Sequence, residues 1–255
     1  MSIQLAPNFT QVTLGKFLWN PCTGCTKISP GCDNCTAVNA TARMKGKNVS
    51  QYADSFEPRY HSDLLFLPAK WRKPRVVQVC SMSDLFHPDI PDCFIRQVFT
   101  SMDMIPQHIY CVETKRPERA IEFSDMISKF DKRLWLGVSV ENQDYVSRID
   151  ALHAIPAQVK FANFIPLLGP ISSFNVAGLS WVTVSGETGK GYRPMEEDWV
   201  EGIKGTCEEH GTTFYFDQWD DYFAKQYGRM YGAIVYPESP SKRPTADHIT
   251  QIMYS

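Results

Sequence analysis

The sequence predicts an α/β fold, a partial (β/α) barrel of about six or seven mainly parallel strands, and three observations carry that expectation. Short β-rich runs alternate with longer stretches of helical spacing. The β-rich runs end in polar residues, as strands do where a barrel gathers its working side chains. No internal repeat, low-complexity tract or linker interrupts the alternation, so one architectural unit accounts for the chain.

The elements follow in order. A first strand is expected within residues 12–19, then strands at 75–80, 109–114, 134–140, 159–164, 181–185 and 213–216. Helical patterns fit residues 34–45, 92–104, 117–130, 142–154 and 196–210. Pro117 with Glu118 reads as a first helical turn, as does Pro194 with Glu196 and Glu197, because proline lacks only an N–H that a first turn leaves unpaired. Strand followed by helix followed by strand argues for parallel pairing, since a parallel neighbour needs a long crossover.

The 255 residues are 43% hydrophobic and 21% charged, enough for one large core, and residues 1–255 are expected to form a single domain with a C-terminal extension from about 220 to 255. No apolar run approaches the ~20 residues that span a bilayer, and the N-terminus lacks the pattern of a secretory signal, so no membrane association and a cytoplasmic location are expected. A formal net charge of -2 excludes a uniformly basic nucleic-acid binder. A local basic face is still available in Lys70-Trp71-Arg72-Lys73-Pro74-Arg75, whose plainer reading is a solvated loop before a strand.

Of eight cysteines, Cys22, Cys25, Cys32 and Cys35 crowd into one loop, residues 20–36, between the first strand and the first helix. Cys80, Cys93, Cys111 and Cys207 stand singly and read as buried small hydrophobes. Clustered thiolates are soft ligands suited to zinc or iron-sulfur. A structural zinc would take all four, but the six residues between the two Cys-x2-Cys pairs are few against the roughly 15 to 20 of a zinc ribbon. A 4Fe-4S cluster held by three cysteines leaves one iron open. S-adenosylmethionine (SAM) chelates such an iron through its amino and carboxylate groups before reductive cleavage of its sulfonium.

The run Trp19-Asn20-Pro21-Cys22-Thr23-Gly24-Cys25-Thr26-Lys27-Ile28-Ser29-Pro30-Gly31-Cys32-Asp33-Asn34-Cys35 resembles the phage-encoded three-cysteine-motif family, a divergent branch related to radical SAM proteins. Trp71-Arg72-Lys73-Pro74, Ser81-Met82-Ser83-Asp84-Leu85-Phe86-His87, Thr114-Lys115-Arg116-Pro117-Glu118-Arg119, Leu136-Gly137-Val138-Ser139-Val140-Glu141-Asn142-Gln143, Pro166-Leu167-Leu168-Gly169-Pro170 and Arg193-Pro194-Met195 extend the resemblance to about residues 17–219. It implies a barrel of the radical SAM type, a 4Fe-4S cluster on Cys25, Cys32 and Cys35, SAM as cosubstrate, and an external electron donor such as flavodoxin or ferredoxin. Family members typically lack a cysteine at the position of Cys22. The Cys-x6-Cys-x2-Cys spacing is wider than the Cys-x3-Cys-x2-Cys of most radical SAM proteins. Four further positions depart from the family: Thr36 replaces an aromatic, Phe164-Ile165 a Cys-Glu pair, and Asp217 a lysine.

The resemblance also implies roles at the strand ends. Ser81, Ser83 and Asp84 would meet the methionine end of SAM, with turn capping as the alternative for Asp84. Glu141, with Ser139 and Asn142, would bind the ribose hydroxyls, the alternative being an exposed first-turn glutamate. Lys115 and Arg116 suit the SAM carboxylate or a substrate phosphate. Glu187, Arg193 and Asp217 are expected to contact substrate, and His87 to cap or pack. The function expected is a radical SAM enzyme that rearranges or modifies a nucleobase, with a hypermodified thymidine in phage DNA as the specific candidate and host cytoplasm as the location. Trp71, Tyr192, Trp219 and Tyr222, with the basic run, would rim the mouth for a flipped base. The alternatives are a radical SAM enzyme acting on a peptide or small metabolite, and a noncatalytic zinc-stabilised binding protein.

Overall fold

The computed structural model describes residues 13–47, 49–52 and 56–220. The expected C-terminal extension and Tyr222 lie outside the described residues. In chain order the strands and helices are β1 (Thr13–Trp19), β2 (Cys22–Thr23), α1 (Thr36–Lys45), β3 (Arg59–Tyr60), β4 (Arg75–Val79), α2 (Asp92–Met104), β5 (Ile109–Thr114), α3 (Pro117–Ile121), α4 (Ser124–Ile127), β6 (Leu134–Ser139), α5 (Ser147–His153), β7 (Val159–Phe164), β8 (Trp181–Ser185), α6 (Glu197–Glu209) and β9 (Thr213–Gln218).

Seven strands form one sheet in the order β1-β4-β5-β6-β7-β8-β9, and every neighbouring pair is parallel. The order follows the chain without reversal, so each crossover returns on the same face and the sheet curls into an open half-barrel. The expected partial (β/α) barrel is therefore present. A separate antiparallel pair, β2 with β3, sits on the cysteine loop and was not foreseen from two-residue runs.

Period-two alternation divides the strand residues between two cores. Val77, Val79, Tyr110, Val112, Leu136, Val138, Ala162, Val182 and Val184 face the helices on the convex side. There α2 contributes Phe94, Ile95, Val98, Phe99 and Met102, one apolar stripe at helical spacing. Val76, Ile109, Trp135, Val159, Phe161, Trp181 and Tyr215 fill the concave side instead. Phe161 stacks on Trp181 with ring centroids 4.6 Å apart, and these aromatics floor the barrel interior.

Gly137 makes that floor possible. A Cβ built there would lie 2.1 Å from Cε2 of Phe161, a contact no side chain tolerates. Gly137→Ala is expected to cost about 1–3 kcal/mol by overpacking, read as a lower urea midpoint at unchanged slope.

Two helices differ from their expected extents. The stretch 117–130 breaks into α3 and α4, because the Ser124 hydroxyl bonds the Ile121 carbonyl and Phe123 turns inward to the Phe86 and Phe99 rings. The stretch 142–154 begins as a 3-10 turn capped by Asn142, whose Oδ1 accepts from Asp144 N at 3.0 Å. Of the single cysteines, Cys80 and Cys207 are buried as expected, whereas Cys111 is half-buried and Cys93 is exposed on the first turn of α2.

Candidate functional site

The cysteine loop crosses the carboxyl edge of the sheet. Backbone bonds stitch it down: Gly24 N donates to Met82 O at 2.9 Å, and Cys25 N to Phe56 O at 3.0 Å. Ser83 Oγ donates to Gly24 O at 2.6 Å, so its hydroxyl holds the loop to the end of β4. Cys32 closes a 3-10 turn started by Pro30, and Cys35 stands at the N-terminal boundary of α1. Cys25, Cys32 and Cys35 line one cavity of about 190 Å³ together with Ser81, Ser83, Asp84, Glu113, Lys115, Arg116 and Ser139. Cys22 is fully buried in β2 and takes no part in that wall.

Three ionic clasps fasten the loop from below. In the first, Asp84 accepts from Phe86 N, Thr114 Oγ1, Lys115 N and Arg116 Nη1, and Arg116 in turn donates to Thr26 O at 3.2 Å. In the second, fully buried Glu141 pairs with Lys115 and with Arg148 at 2.9 Å, and accepts from Ser29 Oγ at 2.7 Å. In the third, Glu187 pairs with Arg193 and accepts from Asn34 Nδ2 at 2.9 Å, while Arg193 Nη2 donates to Pro30 O at 2.8 Å. His87, buried, adds a contact of 2.7 Å between its Nε2 and Thr26 Oγ1.

The clasps also set the thiols. Burial pushes the Cys25 thiol up despite the Arg116 guanidinium, whose Nη1 lies 3.7 Å from its sulfur. Burial acts the same way on Cys32, but the Lys115 ammonium and hydrogen bonds from Ile28 and Ser29 outweigh it and hold that thiol below its ordinary value. Glu187 is likewise pushed up by burial and held below the usual carboxylate range by Arg193 and Asn34. A folded-state value below the unfolded one stabilises the protein above about pH 4.3 and stops doing so as pH falls through the depressed value. The stability difference between wild type and Glu187→Gln is therefore expected to shrink below about pH 4, measured by urea denaturation across the acid range.

Among the described residues no three His, Cys, Asp or Glu side chains stand close enough to share a single metal ion. A four-iron cube separates its thiolates farther than one ion does. Three soft ligands around one cavity, with cations beside two of them, fit such a cluster.

A family model described as a protein of unknown function, DUF5131, matches residues 9–246. The chain belongs to the DUF5131 family. No curated protein and no solved structure matches it. No helix among the described residues is long and apolar enough to cross a membrane.

In this DUF5131 chain the cavity gathers Cys25, Cys32, Cys35, Ser81, Ser83, Asp84, Lys115 and Ser139 of the expected site. It does not gather Glu141, Asn142, Glu187, Arg193 or Asp217. Glu141 is sealed beneath Ser29 and Gly31, so its carboxylate serves the loop rather than ribose hydroxyls. Glu187 and Arg193 are likewise loop clasps, and Asp217 Oδ2 accepts from Ser185 Oγ at 3.3 Å. Asp84 has its four protein donors, a fuller version of the capping alternative.

The basic run is a second correction. Lys70 to Pro74 precede β4 and Arg75 begins it, at the amino edge of the sheet, while the cavity lies at the carboxyl edge. From Arg75 to Gln78, the first residue of β4 on the cavity wall, is three positions, roughly 10 Å of strand, and the rest of the run lies farther back. Arg75 sits 3.6 Å over the Phe17 ring, and Trp71 packs against Phe17 and His108. Trp219 is also core, against Phe216. Arg116 was foreseen, but Glu113 was missed. It lies inside a strand rather than at its end, and only its odd-numbered register with Ile109 on the concave face could have marked it.

Proposed function

We propose that this DUF5131 chain is a radical SAM enzyme whose Cys25, Cys32 and Cys35 hold a 4Fe-4S cluster. The observation that carries the proposal is the convergence of these three thiols, and not Cys22, on one cavity at the carboxyl edge of a parallel half-barrel. When bound, such a cluster offers an open iron for the amino and carboxylate groups of SAM and delivers the electron that cleaves its sulfonium. The chain's own part is to position and neutralise. Lys115 and Arg116 put positive charge on the cavity wall, where thiolates and a SAM carboxylate need it. Asp84 and Glu141 orient those two cations through buried ion pairs. The loop shields one side of the cavity from solvent, and the aromatic floor closes the barrel beneath it.

For substrate, the resemblance to phage three-cysteine-motif proteins supports a nucleobase, with modified thymidine in phage DNA as the specific candidate and host cytoplasm as the setting. A flavodoxin- or ferredoxin-like donor would supply the electron. The displaced basic run gives no support to a duplex-binding rim at the mouth, so a nucleoside or single-stranded substrate fits better than intact duplex.

The experiment is anaerobic purification with iron, sulfide and zinc analysis, then incubation with dithionite and SAM. About four irons per chain and release of 5′-deoxyadenosine are expected. Near-stoichiometric zinc with no SAM cleavage would instead establish a zinc-stabilised binding protein, and cleavage without change to any base would redirect the search to peptides and small metabolites.

A further inference from the structure

Below the cysteines, the inward-facing residues toward the carboxyl ends of the strands are Gln78, Glu113, Ser139, Asn163, Ser185 and Asp217, which include two acids and no base. Glu113 is the acid that reaches the cavity: it is partly exposed, and it lines the cavity wall. Ser139 Oγ donates to its Oε1 at 2.5 Å, and Asn163 of the next strand bonds the same carboxyl. A carboxylate has about four lone-pair sites, so two such donors leave acceptor capacity toward the cavity. Lys115 and Arg116 are occupied elsewhere, by Glu141 and Asp84. The two ion pairs that build the loop thus leave Glu113 outside them, and no loop clasp uses it.

We propose that Glu113 contacts the substrate itself, accepting a hydrogen bond from the N–H of a planar cyclic amide or imide, the edge a pyrimidine base presents. The inference rests on the nucleobase reading above. Ser139 of the neighbouring strand lines the same wall, and Asn163 of the strand beyond bonds the carboxyl from behind, so the acceptor is held in place where a flat heterocycle could present its N–H. Burial pushes the Glu113 carboxyl up against the opposing effect of its two hydrogen bonds, as a desolvated group at the base of a cavity should be. A buried polar site that loses its ligand's N–H discriminates strongly, because the acceptor is then left unpaired.

The test is a binding titration by saturation-transfer NMR on the anaerobically reconstituted protein with SAM present, using thymidine and N3-methylthymidine as probes. Thymidine should bind. N3-methylthymidine should bind about one to two decades more weakly, because the methyl removes the N–H that Glu113 would accept. Glu113→Leu should show the same loss for thymidine, and Glu113→Gln, which keeps an acceptor oxygen, should recover part of it. Cluster absorbance and the urea midpoint identify any variant that fails to fold. Equal binding of the two nucleosides to wild type, or thymidine bound by folded Glu113→Leu as tightly as by wild type, overturns the role of Glu113 and leaves the nucleobase reading standing. Wild type that cleaves SAM yet binds neither nucleoside overturns both.

Discussion

Alanine in place of Cys25, Cys32 or Cys35 is expected to strip the protein of its iron, whereas Cys22→Ala should keep nearly all of it. Three thiolates leave a single iron of a cube open, and the loss of any one leaves two, too few to retain the cluster through purification. The three line the same cavity, and none is fully buried. Cys22 is instead sealed in β2, opposite Tyr60 of β3. Iron and sulfide analysis with the visible absorption spectrum, on all four variants purified side by side without oxygen, reads the result. Iron loss in Cys22→Ala matching the other three would sink the three-ligand assignment and return the four-cysteine site to consideration.

Glu141→Ala is expected to cost about 3–5 kcal/mol of folding stability, because it leaves the Lys115 and Arg148 cations without their buried counter-charge. The void lies directly under the loop: a Cβ at Gly31 would stand 2.6 Å from the Glu141 carboxylate, so the loop rests on this side chain. Glu141→Gln keeps the shape and an acceptor for Ser29 but not the charge, and should fall between wild type and alanine. Urea denaturation gives the loss, and iron content per folded chain should drop with it, because the loop that carries Cys32 loses its support. A cost under about 1 kcal/mol would mean that water replaces the carboxylate and that the clasp is dispensable.

The alternation of β-rich runs and helical spacing was enough to predict the parallel half-barrel, because parallel strands buried on both faces read as near-continuous apolar runs joined by long crossovers. The same logic found α2 at its observed bounds, Asp92–Met104, from an uninterrupted apolar stripe. It could not see that α3 and α4 are separate, since the break depends on Phe123 reaching the Phe86 and Phe99 rings.

What the sequence determined by itself was the set of thiols, crowded in a glycine- and proline-containing loop, and the order of the strands that carry that loop to the sheet edge. Local spacing suffices there because ligands within one loop are neighbours whatever the rest of the chain does. Only the tertiary structure decided what each charged strand-end residue faces. Glu141, Glu187 and Arg193 turned out to be spent on the loop, the basic run lay at the opposite edge of the sheet, and Glu113 came to the cavity. A charge in a sequence names its chemistry, but its partner is found across more than a hundred residues of chain, as Ser29 and Glu141 are, and only packing brings the two within 2.7 Å.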